Sequence, residues 1–200
     1  MSTWNRLKRY AGASTLLLAV VAGCAKGPGE ATSGNAASSF VESTNSVSKE
    51  KAIAARDGMF DRLSSRLMEA MTAGGPASAI QICSREAPEI ADAISQEFQV
   101  RIGRTSDKLR NSSNEPPQWA KSELRDRPTE PRFLELPDNQ VGALLPIFLK
   151  PTCLLCHGST HTLLPEVKQQ LAMLYPSDQA TGYREGDLRG WFWVEVPGSD

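Results

Sequence analysis

The chain is short of the side chains from which most functions are built. Its 200 residues include two histidines, four cysteines and 6% aromatics, and the formal net charge is only −1. Without a basic surplus there is no electrostatic footprint for a phosphate backbone, which excludes nucleic acid as a partner. No apolar run approaches the roughly 20 residues of a bilayer-crossing helix; the run from Ala11 to Ala22 falls well short. No segment repeats, which excludes solenoids and propellers. Two imidazoles leave few donors for a zinc site or for the distal acid–base groups of a peroxidase. What is present, 40% hydrophobic and 22% charged residues with 13 Pro and 15 Gly, fits one globular core with many loops.

Arg6, Lys8 and Arg9 precede the Ala11–Ala22 run, the layout of a secretory signal, so the chain is expected to be exported. The run ends Val21-Ala22-Gly23-Cys24, which resembles the lipobox of bacterial lipoproteins, where the cysteine thiol receives diacylglycerol and becomes the new N-terminus. Residues 1–23 are then the signal peptide and Cys24 the lipid anchor. The competing reading is an ordinary signal peptide with an incidental cysteine. Two kinds of acyl chain on one residue satisfy the requirement for stable membrane attachment. Ala25, in place of the Asp that resembles an inner-membrane retention signal, points to the outer membrane, with the protein on its periplasmic face. Loss of Arg6, Lys8 and Arg9 takes the net charge to about −4.

Residues 24–47 are dense in Gly, Ser, Ala, Asn and Thr and read as a flexible tether, because they bury too little surface to offset ordering entropy. A domain is expected over 48–198. Ile53, Phe60, Leu63, Leu67 and Met71 recur at helical spacing up to Gly74-Gly75. Pro76 suits the first turn of a second helix with Ile80, Cys83, Ala87, Ile90 and Ile94 on one face, kinked or restarted at Pro88. Val100 to Gly103 alternates like a strand, and Gln118 to Arg127 holds a brief helix with Trp119. Phe133–Leu136 and Val141–Leu149 read as strands or a buried apolar pair, and Leu164–Leu174 as a helix. In the terminal strand, Phe192, Val194 and Val196 alternate with Trp191, Trp193 and Glu195. Helices followed by strands with helical insertions describe an α+β domain with an antiparallel sheet and N-terminal amphipathic helices.

Between the apolar pair and the Leu164 helix lies Cys153-Leu154-Leu155-Cys156-His157. Two thiols at this spacing reach the two vinyl groups of a haem while the adjacent imidazole falls beneath the iron, so the run predicts one covalent c-type haem. By chance the pattern arises in a chain of this length about once in a thousand. A Cys153–Cys156 disulfide and a zinc half-site use the same cysteine spacing, but neither accounts for His157. With Cys24 assigned to lipid and Cys153 and Cys156 to haem, Cys83 is left unpaired in an oxidising compartment. Pattern alone favours a buried, inert core cysteine there.

Ala79-Ile80-Gln81-Ile82-Cys83-Ser84, Ala87-Pro88-Glu89-Ile90-Ala91 and Ile102-Gly103-Arg104-Thr105-Ser106-Asp107-Lys108-Leu109-Arg110-Asn111 resemble a family of exported haem-c domains, long catalogued as a domain of unknown function. The likeness continues through Trp119, the CLLCHG run and residues 175–190, covering most of 48–196. It departs at Ser112-Ser113, where the family tends to have Asn-Pro before a second Asn. The resemblance implies a PAS-like α+β fold holding a single c-haem, with the motif histidine on one side of the iron and a cysteine thiolate on the other. In this chain those are His157 and Cys83.

His161 competes as a ligand but lies four residues past His157 and reads as a surface residue; Met59, Met68, Met71 and Met173 have the chemistry yet fit helical core positions. Arg104, Lys108 and Arg110 are candidates to pair with the haem propionates, against a solvated basic loop. Trp119, Trp191, Trp193 and Tyr183 line the haem cavity or fill the core beside it. The fold and the thiolate together imply a membrane-tethered redox or small-gas sensor, whose signal would pass to a partner protein because no output segment follows the domain. A periplasmic electron-transfer protein with a redox partner is the alternative, and no enzymatic activity is expected.

Overall fold

The computed structural model describes the backbone of residues 34–198 and the side chains from residue 45 onward. The expected signal segment and Cys24 lie outside the described residues. Helix α1 (Gly34–Phe98) is followed by β1 (Arg101–Thr105), α2 (Gln118–Glu123), β2 (Arg132–Glu135), β3 (Val141–Phe148), α3 (Leu154–His157), α4 (Pro165–Leu174) and β4 (Leu188–Val196). The strands form one sheet in the order β1-β4-β3-β2 with every pair antiparallel. This is the α+β arrangement expected from the sequence.

Helix α1 has two arms. Gly74 (φ −147°, ψ 15°) and Gly75 (φ 76°, ψ −178°) leave the helical region between them. The positive φ at Gly75 is one that a side chain would strain, which is why the break falls there. Pro76 then opens the second arm, where its missing N–H costs no intrahelical bond. Two expectations need correction. The first arm reaches back to Gly34, so residues 34–47 of the expected tether are helical. Helix propagation adds one hydrogen bond per residue once a nucleus is anchored, and Ala52, Ala55 and Met59, all buried, supply that anchor. Nor does Pro88 break the second arm, whose torsions remain helical across it.

The sheet is covered on both faces, and β4 shows how its pattern directs this. Phe192, Val194 and Val196 point to one face, where they meet Val141, Ala143 and Leu145 of β3, Ile102 of β1, and Ala52, Ala55, Met59 and Ile94 of α1. Full burial of each Val, Leu, Ile, Phe or Met side chain here contributes roughly 1.5–3 kcal/mol, so this layer is the main core. Trp191 and Trp193 turn to the opposite face and pack with Leu144, Ala120, Trp119 and Leu124. The indole N–H groups there are used: Trp191 Nε1 donates to the Pro128 carbonyl at 2.8 Å and Trp119 Nε1 to Glu195 Oε1 at 2.7 Å. Glu195, buried on the same face, also pairs with Arg101.

At the start of β4 the backbone of Gly190 (φ +155°) runs against the Thr105 carbonyl oxygen, where a Cβ would collide with it. Gly182 (φ +82°) has a similar need for a positive φ but open space around it. Gly182→Ala should therefore cost about 1 kcal/mol, the strain of a left-handed residue. Gly190→Ala should cost about 3 kcal/mol because the β1–β4 contact must also open. Urea unfolding midpoints of the two variants check the difference.

Candidate functional site

A cavity of about 440 Å³ opens between α1, the β1–β4 corner and the segment after β3. Its volume lies in the usual range for small-molecule and cofactor sites. The walls are mainly apolar: Leu63, Leu67 and Met71 come from the first arm of α1, Ile80 and Cys83 from the second, and Phe192 from the sheet. Cys153, Cys156 and His157 complete the lining.

The local fold explains how the motif presents all three side chains together. Pro151–Cys153 makes a single 3-10 turn led by Pro151, and α3 continues it for one turn. Positions i, i+3 and i+4 of a helical turn share a face, which puts Cys153, Cys156 and His157 on one side. A four-residue helix cannot hold itself, and its carbonyls are satisfied from outside. The Cys156 carbonyl accepts Arg110 Nη2 at 2.6 Å, and the His157 carbonyl accepts the Tyr183 N–H at 3.0 Å. Beyond it, the Gly158 carbonyl accepts the Gly182 N–H at 2.8 Å.

Arg110 is the organising side chain. It is almost fully buried against Asp178, with Nη2 at 3.1 Å and Nε at 3.2 Å from Oδ2, and Nη2 also reaches the Ala180 carbonyl at 3.2 Å. The same Ala180 carbonyl lies 2.7 Å from His157 Nδ1. A carbonyl only accepts, so Nδ1 carries the proton and Nε2 keeps its lone pair, the tautomer of a metal-ligating imidazole held by a backbone oxygen. Burial, assisted by the Arg110 and Arg189 charges, holds His157 well below the usual histidine range. The ring is neutral at neutral pH, and Tyr183 stands edge-on to it at 6.3 Å between centroids.

Burial favours the protonated form of two of the thiols, Cys83 and Cys156. Burial pushes Cys156 up to about 11 and also raises Cys83, while Arg104, Arg110 and Arg189 pull Cys83 back toward its usual range. Cys83, Cys153 and Cys156 are all free thiols. Among the described residues, no group of three or more His, Cys, Asp or Glu side chains converges to hold a bare metal ion. The donors are spread around a cavity rather than gathered on a point.

The profile of the Tll0287-like family matches residues 32–197. The chain belongs to the Tll0287-like family. Among solved structures it is similar to the crystal structure of the cyanobacterial haem protein Tll0287, at 20% identity and a TM-score of 0.51, over 71% of this chain and 92% of that one. At that identity the likeness establishes the shared fold. No curated protein matches the chain.

Within this Tll0287-like fold the candidate residues separate. Cys83, Cys153, Cys156, His157, Arg104 and Arg110 line the cavity; Lys108 and Trp119 do not. Trp119 is corrected from a cofactor contact to a core residue on the far face of the sheet, where it covers Gly142 and bonds Glu195. The Lys108 ammonium instead sits 5.0 Å from the centroid of the Tyr183 ring. Arg110 reaches the cavity, but as a buried clamp whose Nε and Nη2 are engaged by Asp178 and two carbonyls. His161 is exposed and away from the cavity, Met59 is core, and Met173 is exposed. Met68 and Met71 do face the cavity.

Two contributors escaped sequence reasoning: Asp178 and Arg189. Asp178 had a readable signal, since its Oδ1 accepts the Ala180 N–H at 2.8 Å, the Asp-led turn that side-chain capping favours. The Ser112-Ser113 departure is accommodated in the same way, with Asn111 Oδ1 accepting the Ser113 N–H at 3.0 Å and the Asn111 carbonyl accepting the Asn114 N–H.

Asp178→Ala should leave the Arg110 guanidinium buried and unpaired and cost about 3 kcal/mol or more in stability. Asp178→Asn, which keeps an acceptor for the turn but not the charge, should fall between the wild type and Asp178→Ala. Denaturant unfolding of the three proteins at pH 7 is the measurement.

Proposed function

We propose that the chain is a mono-haem c-type protein, exported and lipid-anchored through Cys24, in which the haem is attached to Cys153 and Cys156 and held between His157 and Cys83. One observation carries this reading: a single apolar cavity is lined by the two thiols and neutral imidazole of the motif and, from the second arm of α1, by the thiol of Cys83. The residues fit the group by chemistry. Cys153 and Cys156 supply the sulfurs for two thioether bonds, His157 offers a free Nε2, and aliphatic walls suit a flat apolar macrocycle. That the related crystal structure is of a haem protein supports the same assignment.

When bound, the haem supplies a one-electron iron couple and, at an open position, a site for a diatomic gas. Ala180 and Arg110 keep the His157 ring oriented, and α1 and the sheet exclude water. With haem bound, a Cys83 thiolate would favour the ferric state, and its hold would weaken on reduction. Cys83 lies on the arm that begins just past the Gly74-Gly75 break, where a change at the thiol can become a movement of the arm. That placement favours a redox or small-gas sensor passing its state to a partner protein over a catalytic role.

Electron transfer is the second reading. Met68 (53% exposed) and Phe148 (45% exposed) both line the cavity and reach the surface, giving an apolar rim on which a redox partner could dock.

Absorption and EPR spectra of the wild type beside Cys83→Ala test the ligand set. The wild type should show a low-spin ferric thiolate signal that Cys83→Ala loses, with covalent haem retained in both. Identical spectra would remove Cys83 from the site. Cys153→Ala with Cys156→Ala should release the haem on a denaturing gel. Carbon monoxide binding to the reduced wild type supports the sensor, whereas a six-coordinate spectrum unaltered by carbon monoxide, with fast electron exchange, supports the carrier.

A further inference from the structure

Two guanidinium groups in the cavity wall have no acidic partner. On β1, Ile102 and Arg104 are two residues apart and therefore project from the same face of the sheet. That is the face covered by α1, where Ile102 belongs to the main core. The cross-strand neighbour of Arg104 is Phe192, itself part of that core and of the cavity wall. An apolar side chain is what the pattern calls for at this position. Arg189, at the start of the adjacent strand, also lines the cavity, with Nη1 donating to the Lys108 carbonyl at 3.1 Å and the guanidinium over the Tyr183 ring. Among the described residues neither arginine makes an ion pair, whereas Arg56, Arg62, Arg66, Arg101, Arg110, Arg127 and Arg132 do.

Burying a cation without a counter-charge is strongly unfavourable, and two facing one cavity add repulsion between them. Burial indeed draws both guanidinia below their usual range. Such an arrangement is stabilised by a ligand that brings negative charge into the cavity. Arginine is suited to the task, because its planar fork binds carboxylates in pairs of hydrogen bonds.

We propose that Arg104 and Arg189 form the anion-binding end of the cavity and hold the two propionate carboxylates of the haem. This rests on the haem reading and extends it in two ways. It assigns the role to Arg189, and it withdraws it from Arg110, which Asp178 already neutralises, and from Lys108, which stands outside the wall. It also gives the pair an electrostatic consequence: two cations near the iron favour the ferrous state and offset part of the pull of Cys83 toward ferric.

The test uses the full chain matured with covalent haem, comparing the wild type with Arg104→Met, Arg189→Met, the double variant and Lys108→Met. Haem-stained gels report attachment, redox titration reports the midpoint potential, and resonance Raman reports the propionate bending bands. The proposal expects covalent haem in every variant, a lower potential and displaced propionate bands in each Arg variant, the largest change in the double variant, and neither change in Lys108→Met. Should a methionine variant lose its haem, the lysine variant at the same position, Arg104→Lys or Arg189→Lys, which keeps the charge, should retain both attachment and potential; failure to do so overturns the proposal. Unchanged potential and bands in the Arg variants, or an equal shift in Lys108→Met, also overturn it while leaving the covalent haem assignment standing. A wild type without covalent haem overturns both.

Discussion

The buried ion pair between Arg110 and Asp178 is the contact on which the site depends. One guanidinium closes three elements at once: it neutralises Asp178, takes the Cys156 carbonyl at the end of α3, and shares the Ala180 carbonyl with His157 Nδ1. A one-turn helix has no cooperative stability of its own. Without these external partners, neither the direction of the two thiols nor the tautomer of the imidazole would be fixed. The arrangement also accounts for the buried charge, since each atom of the pair that water has left is bonded to another group.

Around that fixed motif the rest of the chain builds a cavity rather than a closed core. The sheet alternates strictly enough that one face of β3 and β4 packs on α1 while the other packs on α2. Beside the first of these contacts, the break at Gly74-Gly75 lets the two arms of α1 diverge in direction, and both contribute to the cavity wall. The wall combines long aliphatic side chains, five sulfur-bearing residues of which Cys83 is one, and two unpaired cations. Such a lining suits a ligand that is largely apolar and carries negative charge, a description that a haem with two propionates meets.

Much of the fold was legible because its signals are local. The period-2 alternation of β4, the helical spacing of 165–174 and the Gly-Gly break each depend on residues a few positions apart, and each lies where the pattern put it. The reading failed where a neighbour distant in sequence decided the outcome. Residues 34–47 look too polar and small to order themselves, yet they extend a helix anchored by Ala52, Ala55 and Met59. Pro88 disrupts an isolated helix, but here the turns around it remain helical. Trp119 has no local feature separating a cavity wall from a core; its place is set by Gly142 and Glu195, which come to it through the sheet register.

The candidate site divides along the same line. By itself the sequence determined that Cys153, Cys156 and His157 form one cluster, because two thiols and an imidazole within five residues share a face of any helical turn and need no other part of the fold to do so. That Cys83 opens onto the same cavity, that Arg110 is a clamp, and that Arg104 and Arg189 are left without partners were decided only by tertiary structure. Helical spacing placed Cys83 on a buried stripe but carries no information about what that stripe faces. A basic residue in a loop reads the same whether a carboxylate awaits it or not. Those outcomes depend on which segments fold against one another, and that is settled by packing over the whole domain.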